Sequence, residues 1–225
     1  MNGMLVDLTV TITTDMTPVT GHPPVEFRAI DTHEQNNKSN TWMAFSIHSC
    51  GTHLDAPYHF YADGLTIDQI PVERFIGPGV RFDLRHRGIP GAAVTVEDLE
   101  KAAEIAGESL RDRIVILHTG WGSHYCRPDY YGNNPYLATE GARWLVEQGI
   151  RIVGLDMPSG KGAGGPMEKG TSRETHGTFL GAGVLMLENL TNLESLPLKG
   201  FEVMVFPLKI LRGDGAPARV LARVS

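Results

Sequence analysis

Cysteine is scarce: Cys50 and Cys126 are the two in 225 residues. That is too few for a disulfide framework, and no C-x-x-C pair offers a thiolate metal site or a redox couple. Basic residues are outnumbered, with 20 Lys and Arg against 26 Asp and Glu for a formal net charge of -6. No Lys/Arg cluster supplies the basic face that nucleic-acid binding needs, which excludes that class of partner. Long apolar runs are missing too. No stretch approaches the roughly 20 residues that cross a bilayer, and the opening MNGMLVDLTV lacks the basic and apolar regions of a secretion signal. The expectation is a cytoplasmic protein with free thiols and no membrane association. Familiar catalytic signatures are absent as well: there is no H-E-x-x-H and no G-x-S-x-G elbow, and Ser159 follows Pro158 rather than sitting between glycines. The Gly-rich stretch 159–170 fails as a phosphate loop, because Gly170 is followed by Thr171 where Lys is required. It reads as a mobile loop near the site.

Histidine, by contrast, is concentrated. Residues 46–64, SIHSCGTHLDAPYHFYADG, place His48, His53, Asp55 and His59 within twelve positions. These residue types bind divalent metals or move protons. Metal-assisted hydrolysis needs three or more N/O ligands, an open position for water and a proton shuttle. His53 and Asp55 are the strongest local ligand pair, because alternate residues of a strand project together. If the strand over 42–47 continues to residue 55, His48 points the opposite way and is no ligand unless a bulge intervenes. His59, just past Pro57, is placed to act as the shuttle or as a further ligand. A second half of the site must come from elsewhere, and His176 and Glu188 are its candidates, each unremarkable alone. Cys50 among the histidines also fits a Cys–His nucleophile, with a small buried strand residue as the plainer reading.

Around this stretch the pattern is mixed α/β. Alternation predicts strands over 5–12, 25–30 and 42–47, and apolar runs predict strands over 79–84, 114–117, 150–155, 184–187, 202–208 and 218–224. Thr95-Val-Glu-Asp98 resembles a capping box opening a helix to Ala106, and helices are also expected over 139–148, ended by Gly149, and 171–180. The order strand 114–117, helix 139–148, strand 150–155 favours some parallel pairing. An aromatic loop with Tyr125, Tyr130, Tyr131 and Tyr136 serves equally as a substrate wall or as loop packing. No repeat or composition shift divides the chain, so one domain over 1–225 is expected.

The residues then resemble a known family. G-T-H-L-D-A-P-Y-H-F at 51–60 is similar to the signature H-x-G-T-H-x-D-x-P-x-H of the cyclase family of metal-dependent hydrolases, which includes kynurenine formamidase and isatin hydrolase. D-L-T at 7–9, I-L-H-T-G-W at 116–121, V-G-L-D-M-P-S at 153–159, H-G-T-F-L at 176–180, L-E-N-L-T-N-L at 187–193 and G-A-P-A-R at 215–219 resemble further family segments, in family order across nearly the whole chain. The resemblance implies a mixed-sheet swivelling β/β/α fold and a homodimer or tetramer. It implies a zinc or manganese site with His53, Asp55, His176 and Glu188 as metal ligands, and His59 as catalytic acid/base. The implied activity is hydrolysis of a small amide, lactam or ester; the alternatives are a metal-dependent lyase or cyclase, or an inactive metal-binding relative. Two departures stand out. The signature's first His falls on Ser49, a poor zinc ligand, which implies a weakened, empty or harder-ion position there. The aromatic residue that kynurenine formamidases place before a Pro-Gly step is replaced by Val19 and Thr20.

Overall fold

The structure is a computed structural model that describes residues 3–160 and 172–224. Its strands are β1 (Met4–Asp7), β2 (Glu26–Asp31), β3 (Asn40–Ala44), β4 (His53–Asp55), β5 (Ile76–Asp83), β6 (Ala93–Val94), β7 (Ile114–His118), β8 (Tyr136–Leu137), β9 (Ile152–Leu155), β10 (Leu185–Glu188), β11 (Phe201–Pro207) and β12 (Gly215–Val224). The helices are α1 (His33–Asn36), α2 (Val96–Ala106), α3 (Thr139–Glu147) and α4 (Ser172–Gly181).

One mixed sheet runs β1-β12-β11-β5-β7-β9-β10-β4, and β4 pairs back onto β12. The ring closes because β12 has partners at both ends of one edge: β1 lies against residues 221–224 and β4 against 215–217. Strands β5, β7, β9 and β10 are parallel to one another. Their apolar runs have no polar face because both faces are covered. Val80, Phe82, Val115, Leu117, Val153 and Leu155 pack with the helical layer, including Leu99 and Leu145. Ile114, Ile116, Ile152, Leu187, Val203 and Val220 form a second cluster on the other face. Gly79 permits the close approach of β11, since a Cβ there would sit 2.1 Å from the Phe201 ring. The expected capping box closes α2: Asp98 N–H donates to Thr95 Oγ1, and Thr95 N–H donates to the Asp98 carboxylate at 2.8 Å.

The mixed α/β fold thus stands, with two local corrections. The first strand ends at Asp7 rather than residue 12, because the Thr9 side chain takes over the ladder: Val220 N–H donates to Thr9 Oγ1 at 2.8 Å. The strand through Trp42 ends at Ala44, and Ile47–Ser49 form a 3-10 turn instead of leading straight into β4. Helix α3 starts at Thr139 with Ala138 as its N-cap, and Gly149 follows it at φ 73. The Gly-rich stretch expected as a loop lies outside the described residues from 161 on, and so does Thr171 at the start of the expected last helix. The β2–β3 hairpin stands apart: residues 26–30 and 40–43 are all exposed, Phe27, Ile30, Trp42 and Met43 among them. Among the described residues no helix is long and apolar enough to cross a membrane.

Candidate functional site

Strand β4 is the centre of the site because it lies between β10 and β12. Its register sets His53 opposite Glu188 on one side and Asp55 opposite Gly215 on the other. Helix α4 brings His176 over the same point. His53 Nε2 is 3.5 Å from Asp55 Oδ1 and 3.7 Å from Glu188 Oε2, and His176 Nε2 is 3.7 Å from both Asp55 Oδ2 and Glu188 Oε1. Two ligands held about 2.1 Å from one tetrahedral ion are about 3.4 Å apart, so each imidazole stands near ligand spacing from both carboxylates, His53 and His176 facing different oxygens of each; the trios His48, His53, Asp55 and Asp55, His59, His176 bring one donor atom each close enough to hold an ion. Their chemistry agrees, since imidazole and carboxylate together suit a divalent metal. His53 Nε2, Asp55 Oδ2 and Glu188 Oε1 are buried with no hydrogen-bond partner among the described residues. Leaving such atoms unpaired is costly, and a cation on them removes that cost.

The histidines are oriented for this from behind. His53 Nδ1 donates to the Gly51 carbonyl at 2.8 Å, which leaves Nε2 as the lone-pair nitrogen. The same carbonyl accepts from Asn189 Nδ2 at 3.0 Å, and Asn189 Oδ1 accepts from the buried Tyr130 hydroxyl at 2.6 Å. Gly51 holds φ 97, and a Cβ there would lie 2.8 Å from Val10 Cγ2, so glycine is required on both counts. Ser159 Oγ sits 3.3 Å from His176 Nδ1 and fills the matching place behind that ring.

His59 ends a 3-10 turn, Pro57–His59, and stands half-buried beside the donor cluster. It lines a cleft of about 420 Å³ together with Tyr58, Phe60, Ala62, Arg212 and Asp214. His48 is the main correction to the sequence reading. The 3-10 turn rotates it into the site, where Nδ1 is 3.0 Å from Asp55 Oδ1 and Nε2 is 2.8 Å from Asp214 Oδ2. Burial pulls the His48 ring down, but the Asp55 charge and the Asp214 hydrogen bond outweigh it and raise its pKa to about 10. Burial likewise pushes Asp55 up, yet the His53 and His48 rings hold its carboxyl well below the usual carboxylate range. Ser49 turns the other way: its Oγ accepts from Val19 N–H at 3.1 Å and pairs with His22 Nδ1 at 3.0 Å. It tethers the N-terminal loop where the family signature has a histidine.

Asp214 is the site residue that the sequence reading missed. It precedes β12, and hydrogen bonds from His48 and His59 hold its carboxyl far below the ordinary range. Its only signal was the turn G-D-G between two late strands, which reads as ordinary hairpin chemistry. Other stretches singled out earlier serve the scaffold. Asp156 accepts from Thr119 N–H, Thr119 Oγ1 and Gly120 N–H and ties the ends of β7 and β9 together, with burial raising its pKa to about 6. His118 accepts from Arg81 Nη1 at 2.8 Å, and burial followed by the Arg81 charge lowers its pKa to about 4. Tyr130 is packed in the core, and Cys50 is buried with its thiol raised to about 12, which removes it as a nucleophile.

Known proteins resemble this chain throughout its length. The Cyclase family model matches residues 6–160. Kynurenine formamidase of Erythrobacter litoralis is 31% identical over 181 residues, covering 80% of this chain and 75% of that protein. Kynurenine formamidase of Bacillus cytotoxicus is 26% identical over 219 residues, covering 97% and 96%. Among solved structures, isatin hydrolase A from Labrenzia aggregata superimposes with a TM-score of 0.87 at 28% identity, covering 98% of this chain and 93% of that one.

Proposed function

The chain belongs to the Cyclase family, and from that premise we propose that it is a metal-dependent hydrolase with His53, Asp55, His176 and Glu188 as metal ligands and His59 as catalytic acid/base. Its reaction is hydrolysis of a carbon–nitrogen bond other than a peptide bond, as in the kynurenine formamidases and isatin hydrolases it resembles. Small amides and lactams are the substrate class, with esters as close analogues. The observation that carries the reading is the set of buried, unpartnered atoms on His53, Asp55 and Glu188 at the point where these side chains and His176 meet.

A divalent metal there, zinc or manganese, supplies Lewis acidity that polarises the carbonyl and brings the pKa of a water to about 7. The protein does the rest. The Gly51 carbonyl holds the His53 imidazole with its Nε2 lone pair toward the cluster, and Ser159 pairs with Nδ1 behind the His176 ring. Asp55 and Glu188 bring the negative charge that retains a dication. His59 takes a proton from the attacking water and returns it to the departing nitrogen, so the bond broken is C–N and the bond formed is C–O.

The protein acts on a small molecule as a homo-oligomer in the cytoplasm. Support for self-association comes from the β2–β3 hairpin, where Phe27, Ile30, Trp42 and Met43 are exposed among the described residues. A two-stranded hairpin is marginal by itself and gains stability from a packing surface.

The test combines turnover with metal content, using N-formylkynurenine and isatin as probes. Glu188→Ala is expected to lose bound metal; full occupancy by elemental analysis counts against it as a ligand. His59→Ala is expected to keep the metal and lose turnover, and an unchanged kcat removes the role from His59. Hydrolysis must incorporate one solvent oxygen from labelled water, and its absence would point to a lyase or cyclisation.

A further inference from the structure

Asp214 lies 155 residues from His59 in sequence, yet its Oδ2 is 3.2 Å from His59 Nδ1 and 2.8 Å from His48 Nε2. We propose that Asp214 is the positioning residue of His59, fixing its tautomer and ring plane, with His48 as a stacked brace. The inference rests on the reading of His59 as the proton carrier and adds to it.

A carboxylate oxygen accepts and has no proton to give. Both ring nitrogens that face Asp214 Oδ2 therefore donate to it. His59 is left with its proton on Nδ1 and with Nε2 as its one accepting nitrogen. That is the form a general base needs, and an Asp behind a His is a recurrent way of securing it. When Nε2 takes a proton from water, the positive charge on the ring is stabilised by the Asp214 carboxylate. When Nε2 passes the proton to the leaving nitrogen, the ring returns to its starting form. Asp214 itself gains and loses nothing.

The backbone fixes this geometry. Ala56 N–H donates to the Asp214 carbonyl at 2.9 Å, and the Ala56 carbonyl accepts from His59 N–H at 2.9 Å. One residue thus ties the main chains of both partners. The ring plane is fixed from the side, since His48 stacks on His59 with centroids 3.9 Å apart at 28°. His48 is itself held at both ends, by Asp55 Oδ1 and Asp214 Oδ2. Asp55 belongs to the candidate metal cluster, so an unbroken line of contacts joins the cation's ligands to the proton carrier. His48, His59 and Asp214 are also close enough to hold an ion themselves, and the test separates that possibility.

The experiment compares wild type, Asp214→Asn, Asp214→Glu, His59→Ala and the double variant His59→Ala/Asp214→Asn. In metal-free protein, nitrogen-15 NMR of labelled histidine is expected to show His59 protonated at Nδ1 alone in wild type and as mixed tautomers in Asp214→Asn. A proton on Nε2 in wild type, or an unchanged His59 signal in Asp214→Asn, overturns the inference without reference to activity. In the metal-loaded enzyme, Asp214→Asn is expected to lower kcat about 10²–10³-fold, with KM within about threefold and metal content equal to wild type. Asp214→Glu, which keeps a carboxylate, is expected to recover at least about tenfold of that loss. The double variant is expected to be no slower than His59→Ala, because residues acting as one unit are not additive. Loss of metal from Asp214→Asn would make it a ligand and refute the positioning role. A dead His59→Ala beside a fully active Asp214→Asn overturns the Asp214 inference alone, whereas an active His59→Ala overturns the reading of His59 on which it rests.

Discussion

Asn189 offers the sharpest test of how the site is supported, because its side chain hydrogen-bonds to Gly51 and Tyr130 and to no donor of the cluster. Its Nδ2 donates to the Gly51 carbonyl at 3.0 Å, its Oδ1 accepts from Tyr130 at 2.6 Å, and its backbone holds φ 59. Asn189→Gly removes both side-chain bonds but tolerates the backbone. The buried Tyr130 hydroxyl then lacks its acceptor, at about 1–3 kcal/mol, while the Gly51 carbonyl keeps its bond from His53. With the second bond included, the metal-free protein should lose about 2–4 kcal/mol, and Asn189→Ala about 1 kcal/mol more for a left-handed residue with a Cβ. At this chain length each kcal/mol is about 2–4 °C in Tm, so Asn189→Gly should melt about 4–16 °C lower. The functional part is separate. If the Gly51 carbonyl orients His53, losing its support weakens metal affinity about 10–100-fold. That reduces the stabilisation conferred by saturating metal by about 1.4–2.7 kcal/mol, or about 3–11 °C. Calorimetry of metal-free and metal-loaded protein reads both effects. A lower metal-free Tm with the same metal-induced rise as wild type would refute the link from Asn189 through Gly51 to His53.

Three further outcomes are expected. His48, held up to about 10, adds stability that is fully present below its unfolded value of about 6.5 and is lost as pH rises through 10. Metal-free protein should therefore weaken by on the order of 4 kcal/mol between pH 7 and 10, a slope that denaturant titrations should find flattened in His48→Gln. Ser49→Ala should free the N-terminal loop at Val19, at about 1–2 kcal/mol, and leave metal content unchanged; loss of metal in elemental analysis would make Ser49 a ligand after all. Thr95→Ala, at the capping box of α2, should lower Tm by about 2–4 °C for about 1 kcal/mol with no change in kcat.

The layout of the parallel strands was legible because its signal is strong and local. The runs over 114–117 and, past Arg151, 152–155 have no polar face, and the T-x-x-D cap announces α2 without reference to anything distant. His53 and Asp55 were legible for the same reason, since alternate positions in a strand share a face. His176 and Glu188 needed a family resemblance, because their meaning depends on β10 pairing with β4, which no local pattern encodes. His48 was misread because a 3-10 turn of three residues breaks the strand period, and one residue of slip reverses a side chain's direction. Asp214 was invisible because its partners are supplied entirely by tertiary closure.

The double pairing of β12 has a consequence for the order in which this enzyme becomes competent. All four candidate metal donors lie at or before residue 188, but the carboxylate that faces His59 arrives with the turn into β12. Bringing residues 155 positions apart into contact costs about 4.5 kcal/mol of chain entropy, and contacts of such long sequence separation slow folding. Capture of the cation and readiness for proton transfer are therefore separable events along the chain. In refolding with metal present, protection of the β4–β10 pairing should come first, and turnover should appear only when the last strand seals the ring.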